Sequence, residues 1–357
     1  MSEFQRRPQH RYQDPLARIW IDCAERGGFR IARTATAYAS SDGRGTIFIG
    51  SDETLDPDDS LAQMILHELC HALVQGEENE SKPDWGLSNE GRIANPWREH
   101  ACLRLQAFLA DSVGLRDFFA PTTDYRVSFW DSLPPDPFAA DGGRRDSSCV
   151  AARAALWRAS LPRWAGPLQT ALQASAAIAA VVPRQTQDEA QSGLPSLWTT
   201  AAPMPPRHPA GHAAVAAYHA GHGCSDCAWN YKLRETQRCR HAPKIRLDDA
   251  APACTRWEAA AELDCLDCGA CCREAFDAVE ISAREPLIQR HPTLLVIESR
   301  RRKLRRHEER CAALTGGTAP GTAYACAIYA DRPRTCREFA RAGGHCLEAR
   351  RRVGLSL

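Results

Sequence analysis

LAQMILHELCHALVQ, residues 61–75, is the stretch from which the rest of the chain is read. Leu61, Ile65, Leu69, Ala72 and Leu73 recur at helical spacing and give the segment an apolar back. His67 and His71 stand four residues apart, so on a helix their imidazoles leave one face and can converge on a single ion. Glu68 follows the first histidine, where its carboxylate can take a proton from a metal-bound water. Upstream, Asp56, Pro57, Asp58 and Asp59 read as the helix start, with Asp56 as cap and Pro57 in the first turn. Gly76 reads as the stop. Just before the start, GTIFIG (45–50) has the β-branched and aromatic content of a short strand.

Working outward, 357 residues suggest two or three domains. A hydrophobic content of 44% with 25% charged residues is that of a soluble globular chain. A net charge of +1 argues against a protein whose main task is coating nucleic acid, which is not an expected partner. No apolar run has membrane-spanning length, and the N-terminus lacks the apolar core of an export signal. Sixteen cysteines without such a signal point to metal chemistry in the reducing cytoplasm, away from disulfides and membranes.

The fold class expected is α+β. Residues 16–24 predict an amphipathic helix with Trp20 and Ile21 as core, and 29–38 the first strands of a small sheet, followed by a turn at 41–45. Cys23 and Cys70 read as core cysteines. A polar loop, 77–95, contains Asp84, Trp85 and Gly86, and a second helix is expected from a cap at Asn95 and Pro96 to a stop at Gly114. A catalytic zinc takes three protein ligands and keeps an open position. The strand at 45–50 entering the His67–Glu68–His71 helix resembles the zincin-type metallopeptidase arrangement, in whose gluzincin-like branch the third ligand is a glutamate on a downstream helix. Glu99 fits that position, with His100 and Asp84 as alternatives. Over residues 64–106 the chain is also similar to the elongation factor P hydroxylase family, which implies iron and an oxygenation. It departs there by placing Ala72 where an aromatic usually follows the second histidine. Residues 1–132 are thus expected as one domain, 145–183 as a helical connector broken near Pro162, and 208–357 as a cysteine-rich region. Proline-containing linkers, 132–143 and 183–209, separate them.

That last region holds twelve of the sixteen cysteines. Its first group, spanning 224–254, is Cys224, Cys227, Cys239 and Cys254, with His241 nearby; a C-x-x-C knuckle and two further thiolates complete a structural zinc. Of the histidines His208, His212, His219 and His222, the last is close enough to Cys224 to substitute as a ligand. The second group runs Cys265, Cys268, Cys271, Cys272, Cys311, Cys326, Cys336 and Cys346. Two cysteines in succession point apart, so Cys271 and Cys272 can serve separate metals or one polynuclear cluster, and soft thiolates select zinc, copper(I) or iron–sulfur centres. Eight thiolates suit two zincs, or one cluster plus a zinc. Gly269 reads as the turn that lets backbone amides face the sulfurs. With the segment C-x-I-Y-x-x-R-P-x-x-C-x-x-F beginning at Cys326, residues 262–357 resemble the bacterial CxxCxxCC (YkgJ-type) cysteine-cluster family, described as zinc- or iron-chelating. That resemblance implies seven of these cysteines as ligands, with Cys311 the eighth. The basic run 299–306 reads as a solvated helical face.

The expected function is a zinc-dependent hydrolase acting on a protein or peptide. His67, His71 and Glu99 would hold the ion and Glu68 would act as general base. A second reading is a non-catalytic metal chelator or iron–sulfur electron carrier with a degenerate first domain, and a third is the iron-dependent hydroxylase.

Overall fold

The computed structural model describes residues 9–87, 96–139, 146–183, 193–205, 207–212, 222–248, 251–317 and 322–357. The cap expected at Asn95, His219 and parts of both linkers lie outside these. The architecture is mixed α+β, and the chain divides into two compact units. One comprises Met1–Leu133 with Arg158–Met204, the other Pro134–Trp157 with Pro205–Leu357. Two helices, α5 (Ser147–Ala159) and α6 (Pro162–Val181), occupy the stretch read as a connector, and the unit boundary runs through α5. Among the described residues no helix is long and apolar enough to cross a membrane.

The first unit is built on α2 (Leu61–Gln75), whose Ile65, Leu66, Leu69 and Cys70 have no exposed surface. A helix apolar nearly all round belongs inside. It packs against α1 (Pro15–Arg26) and α3 (Pro96–Asp111), and against a three-stranded sheet. In that sheet β3 (Thr46–Gly50) lies centrally, parallel to β1 (Arg30–Thr34) and antiparallel to β2 (Ala39–Ser41). Trp20 is fully buried on α1 and donates through its indole nitrogen to Ser175 on α6, while Ile21 is only half-buried. The start of α2 differs from the expectation. Ser60, not Asp56, is the cap, closing a reciprocal box with Gln63, and residues 56–59 form a separate turn in which Asp59 accepts from the Asp56 amide. Downstream, α4 is a single turn at Tyr125–Ser128.

In the second unit a meander, β4 (Asn230–Leu233), β5 (Thr236–Cys239) and β6 (Ala242–Arg246), frames the first cysteine group. Next come α7 (Cys265–Cys268), α8 (Leu287–Arg290), and the hairpin of β7 (Leu295–Glu298) with β8 (Arg301–Leu304). Short pairs β9 (Arg306–His307) with β10 (Arg310–Cys311) and β11 (Leu314–Gly316) with β12 (Tyr324–Cys326) follow, then α9 (Arg334–Arg337) and α10 (Gly344–Arg352). The basic run is therefore not helical. Ser299 and Arg300 take positive φ values of 50° and 63°, the two-residue turn that matches strand twist, and Arg301 and Lys303 pair with Glu280 and Glu298.

Candidate metal centres

On α2 the four-residue spacing brings the Nε2 atoms of His67 and His71 to 3.1 Å, with the rings perpendicular. Glu99, in the first turn of α3, sets Oε1 3.4 Å from the first of these nitrogens and Oε2 3.3 Å from the second. Two ring nitrogens and a carboxylate converging this closely require a positive charge among them, a proton or a metal ion. Burial raises the Glu99 carboxyl, but His71 and then His67 outweigh it and bring it down to about 2. Burial lowers the His71 imidazole, yet Cys102 and Glu99 hold it well above its ordinary value.

The supporting contacts were not legible in the spacing. Gln106 on α3 donates its amide to the Phe119 carbonyl, which turns its oxygen toward His67 Nδ1 at 2.9 Å. That ring nitrogen then carries the proton and Nε2 keeps its lone pair. His71 Nδ1 lies 3.1 Å from the Cys102 sulfur. Glu68 is buried, and its Oε2 accepts from the Trp85 indole at 2.9 Å. Trp85 sits at φ 58° and packs edge-on against Phe29. Ligand atoms of His67, Glu68 and His71 all lie within 4.8 Å of one another. The alternatives for third ligand are engaged elsewhere: Asp84 accepts from the Ser41 amide, and His100 stacks on Phe129 at 3.9 Å.

Cys224, Cys227, Cys239 and Cys254 line one cavity of about 10 Å³, room for a single ion or water. Cys224 and Cys227 flank a 3-10 turn (Cys224–Asp226), and Cys239 ends β5 at a register shift. Burial, then the neighbouring thiols Cys227, Cys254 and Cys239, push the Cys224 thiol up to about 12. Burial also carries Cys254 to about 11, with Cys227 and Cys239 adding to the rise. Thiols that raise one another in this way are the groups a dication relieves, and four sulfurs suit zinc. Arg256 lines the same cavity. The histidine beside Cys224 is His208, not His222. His208 Nδ1 accepts from the Ala210 amide, so its Nε2 carries the proton toward the Cys224 sulfur, 2.9 Å away. His222 bonds Asp226, and His241 packs on Trp229.

Four of the eight remaining candidates lie on a single tight turn. Cys265 and Cys268 occupy α7, Gly269 follows at φ 58°, and Cys271 and Cys272 belong to a 3-10 turn (Ala270–Cys272). A Cβ on Gly269 would come 2.8 Å from the Tyr324 ring, so the position combines a left-handed backbone with no room for a side chain. The turn lets the Ala270 amide donate to the Cys268 sulfur at 3.4 Å. Arg350, buried on α10, pairs with the buried Glu258 at 2.8 Å; burial lowers its guanidinium, but Glu258 and then Cys268 outweigh that and raise it. The Cys271 thiol is lowered to about 7, chiefly by a hydrogen bond from Cys272, which is itself raised. Burial pushes Cys336 to about 12 and raises Cys265, Cys311 and Cys346. Cys326 ends β12 opposite Leu314.

Residues 264–352 match the family model CxxCxxCC, described as "Putative zinc- or iron-chelating domain". Over 89 residues the chain is 39% identical to a protein of Acinetobacter calcoaceticus named "Putative ferredoxin", covering 24% of this chain and 71% of that one. No solved structure matches. Neither the zincin nor the hydroxylase resemblance of the first unit finds support among these proteins. Through its cysteine-rich end, the chain belongs to the CxxCxxCC family of metal-chelating cysteine-cluster proteins.

Proposed function

We propose that this protein is a thiolate-metal protein whose cysteine-rich end works as an electron-transfer module. The observation that carries the reading is the tight turn bearing four cysteines of the matched family, Cys265, Cys268, Cys271 and Cys272, where the Ala270 amide donates to the Cys268 sulfur. Cys265, Cys268, Cys271, Cys272, Cys311, Cys326, Cys336 and Cys346 would hold the metal, and donors at sulfur are what tune a cluster's potential. Bound iron and sulfide would supply one-electron chemistry. The matched relative's name, "Putative ferredoxin", favours the same reading. Cys224, Cys227, Cys239 and Cys254 would hold a zinc that stabilises the meander. The test is anaerobic purification followed by iron, zinc and acid-labile sulfide analysis. A brown protein that bleaches reversibly with dithionite supports electron transfer. A colourless protein with only zinc on these thiols refutes it and leaves chelation.

A second reading concerns the first unit and rests on the convergence of His67, His71 and Glu99. Two imidazoles and one carboxylate would hold either zinc, as in hydrolases, or ferrous iron, as in oxygenases. Such an ion supplies Lewis acidity or oxygen chemistry when bound. Gln106 would fix the His67 tautomer, Trp85 would hold Glu68 in place, and Glu68 would accept a proton during attack on a carbonyl of a protein or peptide. Metal analysis of the wild type and of Glu99→Gln decides whether the site is loaded and with which ion. Peptide cleavage lost in Glu68→Gln with metal retained would support the hydrolase. Cleavage retained in that variant refutes the assigned base.

A further inference from the structure

The eight cysteines of the family match do not form one undivided set. Side-chain packing separates them into two clusters. Cys268 and Cys271 pack with Ala270, Ala275, Phe276 and Ala349. Cys272, Cys311 and Cys326 pack with Ile281, Leu304, Ala313 and Ile328. The dividing line falls at the peptide between Cys271 and Cys272 on the 3-10 turn, where packing places one of two neighbouring thiols in each cluster.

The other three cysteines can be placed from the elements that carry them. Cys265 is three residues before Cys268 on α7, hence on the same helical face. Cys346 lies in the first turn of α10, three residues before Ala349, and α10 packs on the turn Ala270–Cys272. Cys336 lies on α9, which is tied to the opposite cluster. The Arg334 amide donates to Glu285 at 2.7 Å and the Thr335 hydroxyl to the Glu280 carbonyl at 3.4 Å, on either side of Ile281. The Ala327 amide, next to Cys326, donates to the Ala313 carbonyl at 2.8 Å and draws the Cys311 and Cys326 segments together.

We propose that the family match contains two separate four-thiolate metal sites, Cys265, Cys268, Cys271 and Cys346 in one, and Cys272, Cys311, Cys326 and Cys336 in the other. This rests on the metal-chelating reading above and deepens it. Four thiolates satisfy one tetrahedral zinc or iron ion, or one iron–sulfur cluster, so each set is complete without the other. The consecutive pair then has a physical role: one short turn supplies a ligand to each site and fixes their separation.

The test uses the full chain, stripped anaerobically and reloaded with zinc(II) alone. Zinc is withdrawn by stepwise chelator addition in the presence of an alkylating agent, and modified cysteines are mapped by mass spectrometry. The same map is made for Cys268→Ser with Cys346→Ser and for Cys311→Ser with Cys336→Ser. Each double variant is expected to lose one zinc equivalent and to expose only the remaining thiols of its own set. In the wild type each set of four should lose protection as a unit, a readout that needs no variant to fold. Exposure of thiols from both sets in either variant, or protection groups in the wild type that cross the Cys271–Cys272 line, overturns the partition while leaving chelation intact. A wild type in which zinc protects none of the eight overturns both.

Discussion

Removing the indole donor from Glu68 should expose how the chain holds a carboxylate beside two imidazoles. Trp85 is 2% exposed and Glu68 6% exposed, so in the Trp85→Phe variant little water can replace the 2.9 Å bond. A hydrogen bond to a charged group contributes about 1.5–3 kcal/mol, and leaving its buried acceptor unpaired costs as much again in the worst case. Phenylalanine also leaves a gap beside Phe29, a packing loss that must be separated from the polar one. A double-mutant cycle does this, with Trp85→Phe, Glu68→Met and the pair. The coupling expected is about 1.5–3 kcal/mol, because Trp85→Phe on the Glu68→Met background retains only the packing loss. Amide hydrogen exchange along α2, measured on chelator-treated protein, reads the local opening free energy without requiring the whole chain to unfold as one unit. Additivity within about 0.5 kcal/mol would refute the argument that Trp85 holds the carboxylate.

Three further outcomes are expected. Glu99→Gln should weaken metal at the first unit by more than the roughly 10–100-fold that follows loss of a supporting hydrogen bond, whereas Gln106→Leu should fall within that range; isothermal titration with zinc measures both. His208→Phe removes the donor to Cys224, so zinc at the four-cysteine cavity should weaken by about 10–100-fold and Cys224 should alkylate first, read by peptide mapping. Arg350→Met strands Glu258 in the interior and should cost the second unit about 3–5 kcal/mol in urea unfolding, with most of that recovered when Glu258→Leu is added.

Much of the first centre could be read from spacing alone, because an i, i+4 pair fixes its own geometry once the helix is right. Glu99 was reachable for a similar reason: the first turn of a second helix is a short list of positions. Its supports were not, since Gln106, Cys102 and Trp85 act only after tertiary packing turns their polar atoms inward, and no local pattern encodes that turn. Ser60 against Asp56 illustrates the ambiguity of caps, as both can accept a backbone amide and only the Gln63 return bond decides. The basic run 299–306 misled for a different reason. Arginine, lysine and leucine favour helix in isolation, but strand pairing with residues 295–298 overrides a propensity of a few tenths of a kcal/mol per residue, as tertiary context commonly does. His208 lies sixteen residues before Cys224, too far for any local spacing rule to join them.

The two units differ in the donor atoms they bring together. The first offers nitrogen and oxygen from His67, His71 and Glu99; its Cys70 and Cys102 are buried, with thiols raised primarily by burial. Cys102 reaches the site through the His71 ring, whose Nδ1 lies 3.1 Å from its sulfur. The second unit holds thirteen cysteines, twelve of them from Cys224 onward, and places His208 as a donor to the Cys224 sulfur. Zinc occupies both kinds of site, but iron–sulfur clusters demand the sulfur set and open catalytic sites commonly use the nitrogen–oxygen set. On the functions proposed above, one chain would hold a thiolate centre for electrons or structure and an imidazole–carboxylate centre for chemistry, sharing an affinity for zinc but not for iron–sulfur clusters.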